Sequence, residues 1–331
     1  MKTMFAAGMI CLLWQQPQTP VFRGSTDVVV ASVQVTSRDG LAVEGLTLAD
    51  FSLKIDGKLR PIASVDFQRI DDARLPMNLA PADATVSSGP AISAQSFVML
   101  VADPSMMRPE SSRPLFDQAA DFVEKLPAAH AVGLTLLPAT RPQFPFSGTR
   151  QPIVAALKRQ LGSLGTNSTP TFADTYAAMP GLDAAIDALR AADGRRTLVF
   201  FSDALLLGDT TGALNRLMMD KLRSAADAGI VIHTVTNAPP AFADTGRRTS
   251  APAPNSLRGN LELLSDQTGG LFIERGSNGS VVLPRIQRLL AAQYVLSFNI
   301  ENPDKDGMTH KIDIKVDRKN VDVRFRREFV R

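Results

Sequence analysis

The stretch Ser96-Phe97-Val98-Met99-Leu100-Val101-Ala102-Asp103-Pro104-Ser105-Met106-Met107 decides the fold. From Phe97 to Ala102 it is apolar without a break. A strand with one wet face alternates polar and apolar residues, so an unbroken run marks a strand buried on both faces of a parallel sheet. Downstream, Leu115, Ala119, Phe122, Val123 and Leu126 recur at helical spacing, and Ala131 to Leu137 reads as a second buried strand. Helices are expected over Gln151–Leu161 and Leu182–Ala192, then a strand over Thr197–Ser202. A helix over Gly212–Ala228 leads into a strand at Ile230–Thr236; another over Ser256–Thr268 ends at Gly269-Gly270, before a short strand at Leu271–Glu274. Strands alternating with helices in this way imply an α/β fold with a doubly wound, mostly parallel sheet.

Outward from this core the period changes. Before it, Val28, Val30, Ser32 and Gln34 alternate with Val29, Ala31, Val33 and Val35, and the run stops at Arg38-Asp39-Gly40. Period two followed by Asp-Gly is the mark of a strand and its reversal. Asp50 to Ile55, the turn Asp56-Gly57 and Ile62 to Phe67 continue a small β segment over residues 22–70. Residues 71–95, rich in Ala, Pro and Ser, read as a linker, and residues 96–292 as the α/β domain, closed by a helix over about Val281–Ala292. Beyond it, in 293–331, Tyr294–Phe298, Lys311–Val316 and Val321–Phe325 return to strand patterning. Two or three strands bury too little apolar surface to stand alone. The expectation is therefore one small β domain built from both chain ends, with the α/β domain inserted between them.

The first twenty residues have the order of a secretory signal: Lys2, the apolar run Met4 to Trp14, then the polar Gln15 to Pro20. That run is shorter than the roughly 20 residues a membrane span needs. Periplasmic or secreted placement follows as an expectation, with no membrane span in the mature chain. Cys11 is the single cysteine and lies within the leader, after Met9-Ile10, which suits a lipid-attachment site poorly. Disulfides and thiol chemistry are then excluded from the mature part. The net charge of +3 and the 6% aromatic content argue against a nucleic-acid partner, which calls for basic stripes and stacking platforms.

Asp103-Pro104-Ser105 follows a buried strand directly, where open α/β sheets bind ligands. With Met106 and Met107 completing an Asp-x-Ser-x-Ser-like frame, the motif resembles the metal-ion-dependent adhesion site of von Willebrand factor A domains. Thr197 to Ser202 with Asp203, the Gly181-Leu182-Asp183 helix start and the Gly229–Val235 strand are similar to later parts of that family. Gly45 to Phe51, Leu261 to Gly270 and Tyr294 to Arg327 extend the resemblance, in that order, to the von Willebrand factor A-related proteins of acidobacteria. The resemblance runs from about Phe22 to Arg331 and implies a non-catalytic module for adhesion or protein–protein interaction. It implies Asp103, Ser105 and Asp203 as ligands of Mg²⁺, or of Mn²⁺ or Ca²⁺. The second serine position is Met107, the expected threonine falls near Met179, and Thr175 substitutes only on an unusual loop path. A thioether is a poor Mg²⁺ ligand. Two outcomes stay open: a weak metal site, or a degenerate one whose surface still binds a protein.

Other signals lead elsewhere. Asn302, Asp304, Asp306, Gly307 and Asp313 match a calcium-loop spacing, but strands flank them and a hairpin turn explains them better. His130, His233 and His310 form no catalytic set, and no Gly-x-Ser-x-Gly or His-Glu-x-x-His occurs. The basic ending Arg324 to Arg331 reads as a solvated strand face, or as a contact for an acidic envelope surface. The competing functions are a hydrolase using Asp103 or a serine in the same crevice, and a purely structural part of an envelope complex.

Overall fold

Every residue of Ser96–Ala102 is buried, as the unbroken apolar run requires. The computed structural model describes residues 28–70, 96–107, 109–160, 170–208, 211–237, 254–274, 283–300 and 307–330. The leader, the linker at 71–95 and residues 302–306 of the calcium-loop-like stretch lie outside the described residues. The chain opens with β1 (Val28–Ser37), β2 (Phe51–Ile55), β3 (Lys58–Arg60) and β4 (Ile62–Arg69). It then alternates through β5 (Ser96–Ala102), α1 (Pro109–Lys125), β6 (His130–Leu136), β7 (Phe144–Ser147), α2 (Gln151–Gln160), α3 (Phe172–Arg190) and β8 (Arg195–Phe201). α4 (Ala213–Asp227), β9 (Ile230–Thr236), α5 (Pro254–Thr268), β10 (Phe272–Glu274) and α6 (Leu283–Ala291) follow. The chain closes with β11 (Ala292–Asn299), β12 (Thr309–Val316), β13 (Val321–Phe325) and β14 (Glu328–Val330).

The middle strands form one sheet in the order β10-β9-β8-β5-β6-β7. All neighbours in it run parallel except β7, which is antiparallel to β6 at the edge. Side chains alternate across it. Val98, Leu100 and Ala102 pack with Phe116 and Val123 of α1, Leu157 of α2 and Ile286 of α6. Phe97, Met99 and Val101 pack on the other face with Leu182 of α3, Leu222 of α4 and Leu264 of α5. Helices thus cover both faces.

The remaining strands make two antiparallel sheets, β13-β1-β11-β4 and β14-β12-β2-β3. Both mix strands from the two chain ends: β1 pairs with β11 and β13, β4 with β11, and β2 with β12. Val29, Ala31, Val33 and Val35 of β1 face inward, against Leu53, Ile55, Ile312 and Ile314 from the other sheet. Tyr294 stands at the centre, its ring 5.3 Å from Phe51 and 4.9 Å from Phe67. Its hydroxyl donates to Val43 O (2.9 Å) and accepts from the Leu46 N–H (3.1 Å).

Three sequence expectations need correction. The helix read over Leu182–Ala192 begins ten residues earlier, at Phe172, and passes through Pro180 and Gly181. Gly181 is tolerated there because α3 presses on the loop after β6; a Cβ would overlap Ala139 O and the Leu137 side chain. The edge strand β7 escaped notice because Pro145 interrupts it, and a proline without an N–H is acceptable at a sheet edge. The basic ending is more than a solvated face: Arg324 donates to Gly270 O (2.9 Å) and Arg326 to Ala226 O (3.2 Å). Both bonds tie the terminal strands to the α/β layer.

Two substitutions test this packing by chemical denaturation. Gly181→Ala forces backbone apart and is expected to destabilise the chain by roughly 2–3 kcal/mol. Tyr294→Phe leaves the rings in place but removes a buried hydroxyl with two partners, at about 1–2 kcal/mol. A neutral Gly181→Ala would show that α3 does not lie against the loop after β6.

Candidate functional site

The register of the parallel sheet sets where the acids stand. Ala102 of β5 lies opposite Phe201 of β8, and the Asp103 N–H donates to Phe201 O at 3.0 Å. Asp103 is therefore the first residue past β5, and Asp203 follows two positions after the end of the adjacent β8. Both sit at the C-terminal end of the sheet. Asp203 Oδ1 accepts from Thr236 Oγ1 (3.1 Å) and from the Asn237 N–H (3.0 Å), which joins the ends of β8 and β9.

Asp103 is 1% exposed. Ser105, on the short 3₁₀ turn Pro104–Met106, donates its hydroxyl to Asp103 Oδ1 at 2.5 Å. Burial pushes the Asp103 carboxyl up to about 6, although bonds from the Ser105 hydroxyl and from the Ser105 and Met106 backbone favour its anion. The charge of Asp174 adds to the upward shift, which brings the start of α3 into electrostatic reach of this rim. There Thr171 caps the helix: its N–H and hydroxyl both donate to Asp174 Oδ2, at 2.8 and 2.7 Å. The Asp174 N–H returns a bond to Thr171 Oγ1 at 3.4 Å. Thr171 and Asp174 were missed in the sequence, although Thr-x-x-Asp before an apolar run is a capping-box pattern.

The two methionines go elsewhere. Met107 is 1% exposed and joins the core beneath α1, whereas Met179 is buried under α3 in the opposite core. Thr175 is also buried on α3, and its hydroxyl has no hydrogen-bond partner among the described residues. Among the described residues, no three His, Cys, Asp or Glu side chains gather as a metal site. The histidines lie away from the strand ends after β5 and β8. His130 starts β6, and His233 sits within β9, where its Nδ1 accepts the Leu271 N–H at 2.9 Å. His310 pairs with Asp56 at 2.8 Å. Among the described residues no helix is long and apolar enough to cross a membrane.

No family model and no curated protein matches the chain. Among solved structures, proximal thread matrix protein 1 of the mussel byssus, with a zinc-occupied MIDAS motif, matches at 12% identity with a TM-score of 0.36. The match covers 61% of this chain, and the chain spans about half (47%) of that structure's length. A likeness of that size bears on neither the fold nor the function of this chain.

The Asp103 shift makes a signed prediction. The unfolded chain returns the carboxyl to 3.8, so the folded protein holds the proton more tightly between about pH 4 and 6. Stability therefore falls as pH rises through that window, and above about pH 6 the whole penalty is present. Asp103→Asn removes the charge at constant shape. It is expected to raise stability at pH 7.5 by roughly 3 kcal/mol and to change little at pH 3.5, read by thermal unfolding at both values. Destabilisation at pH 7.5 would mean that a cation compensates the buried carboxylate.

Proposed function

We propose that this chain is an exported, non-catalytic binding module that captures a protein partner at the C-terminal rim of its parallel sheet. The single observation behind this is that Asp103 and Asp203 close neighbouring parallel strands at one end. Ligands of open α/β sheets bind at that end. We read the strand order, with helices on both faces, as the doubly wound arrangement of von Willebrand factor A domains. Asp103 is sealed, so the partner meets Ser105, Asp203 and the exposed start of α3, where Thr171, Asp174 and Tyr176 stand. Acids at the contact favour a partner that presents Lys or Arg, and an exposed tyrosine supplies apolar area beside them. The outward address of the leader, Lys2 with Met4–Trp14, is part of the same reading.

The residues present do not complete a divalent-cation site. Asp103, Ser105 and Asp203 offer oxygen, but Mg²⁺ wants near-octahedral oxygen ligation, and Met107 and Met179 are packed into opposite cores. The binding proposed here is metal-independent, with the polar rim itself as the contact.

Two measurements test the reading. Calorimetry with Mg²⁺, Mn²⁺ and Ca²⁺ is expected to show no saturable heat below millimolar concentration; a tighter site would overturn the metal-independent form. A photo-crosslinker placed at Tyr176 is expected to trap a partner from an envelope extract, whereas one at the more exposed Leu59, on β3 of the antiparallel sheets, traps none. Asp174→Ala with Asp203→Ala should cut that trapping at least tenfold, with helix content checked by circular dichroism. Equal trapping with both acids removed would end the site assignment.

A further inference from the structure

We propose that the opposite, N-terminal edge of the parallel sheet holds a small inorganic anion of chloride's size and charge. Three strands place a row of polar residues there. Ser96 of β5 lies in register with His130 of β6 on one side and Arg195 of β8 on the other. Residues in one register row point to the same face, and Ser96 shares the face of Val98 and Leu100, the side covered by α1, α2 and α6. Thr197, in register with Val98, adds a hydroxyl one step further in.

Each of these residues carries a side-chain atom that is shut off from water and lacks a hydrogen-bond partner among the described residues. The orphaned atoms are Ser96 Oγ, Thr197 Oγ1, both ring nitrogens of His130, and the Nε atoms of Arg195 and Arg150. Backbone carbonyls hold the guanidiniums, and Arg150 reaches the row itself through a long bond to His130 O (3.5 Å). Arg195 donates to Leu290 O (2.9 Å) and Leu289 O (2.7 Å) at the end of α6. Arg150 donates to Leu126 O and Pro127 O, just past α1. Gln287, midway along α6, donates to the carbonyl of Lys125, the last residue of α1, at 2.8 Å and links the two helices.

The chemistry of the orphans selects the occupant. A guanidinium Nε–H only donates, while each hydroxyl and a neutral imidazole have a hydrogen to give. Burial and the nearby charges of Arg195 and Arg150 keep His130 neutral, pushing it down to about 4, and no acid offsets them at this imidazole. Carbonyl oxygens balance the guanidinium ends but leave each Nε unmatched. A water accepts from few of these donors and must donate in turn. A monovalent anion accepts from the two hydroxyls, the guanidinium Nε–H groups and the one ring nitrogen of neutral His130 that carries a hydrogen, and it offsets the positive charge of Arg195 and of half-buried Arg150.

Thermal unfolding of the purified chain at pH 7.5 tests this, with sodium chloride compared against sodium gluconate at equal ionic strength. Chloride is expected to raise Tm saturably by several degrees, as a ligand of the folded state does, and bromide to act alike. Ser96→Ala with Thr197→Val should weaken the apparent chloride affinity at least tenfold. A bromide-soaked crystal should show an anomalous peak within hydrogen-bond reach of Ser96 and His130. That measurement decides the matter should the double variant fail to fold. Identical Tm in the two salts, or water in place of bromide beside this row, would overturn the proposal.

Discussion

The architecture depends on arginine side chains reaching helix C-termini at one edge of the parallel sheet. A helix ends with carbonyls that have no partner within it, and its dipole makes that end negative. Here Arg150 takes the carbonyls past α1, and Arg195 those of α6. Arg196 donates to Ala192 O beyond α3 (2.8 Å) and to Ala228 O beyond α4 (2.6 Å). Arg326 adds Ala226 O near the end of α4, with Asp227 at 3.5 Å, from the C-terminal β region. One type of contact therefore anchors helices on both faces and fastens the terminal strands to them. These arginines therefore serve the internal architecture of the chain.

The same polarity explains the other edge. In a parallel sheet with crossover helices, the helix C-termini gather at the strand starts and the N-termini at the strand ends. Cations are stabilised at the first edge and acids at the second. Asp174 stands in the first turn of α3, and its charge is felt at Asp103 beyond β5. The acidic rim and the basic base are two consequences of one chain direction. A contact surface at the rim is then electrostatically biased toward cationic groups before any specific partner is considered.

Much of this was legible in the residues. The unbroken run Phe97–Ala102 marked the central strand, and the alternation from Val28 to Val35 marked β1 with its buried set. Asp103 and Asp203 were placed at strand ends by the runs before them. What escaped depended on contacts distant in sequence. Pro180-Gly181 resembled a helix start because proline is favoured in the first turn, yet Thr171 caps α3 well upstream and Gly181 is there for close packing. That error put Met179 where a ligand was sought, two turns inside the helix. Single residues such as Ser96 and His130 carry no period, so their alignment in one row emerged only from strand register.

The two methionines at the expected ligand positions are core residues on opposite faces of the parallel sheet. Met107 is among the larger fully buried side chains, and it helps fill the core under α1. Returning a serine there would add an oxygen but remove a thioether from a packed interior, at a penalty of roughly 2–5 kcal/mol for a large-to-small change. Asp103, meanwhile, lies buried and takes a hydrogen bond from the Ser105 hydroxyl. Where the resemblance expects further ligands the side chains are packing groups instead. Ser105, Asp203 and the opening turn of α3 keep part of their surface at this rim, and the proposed contact draws on them.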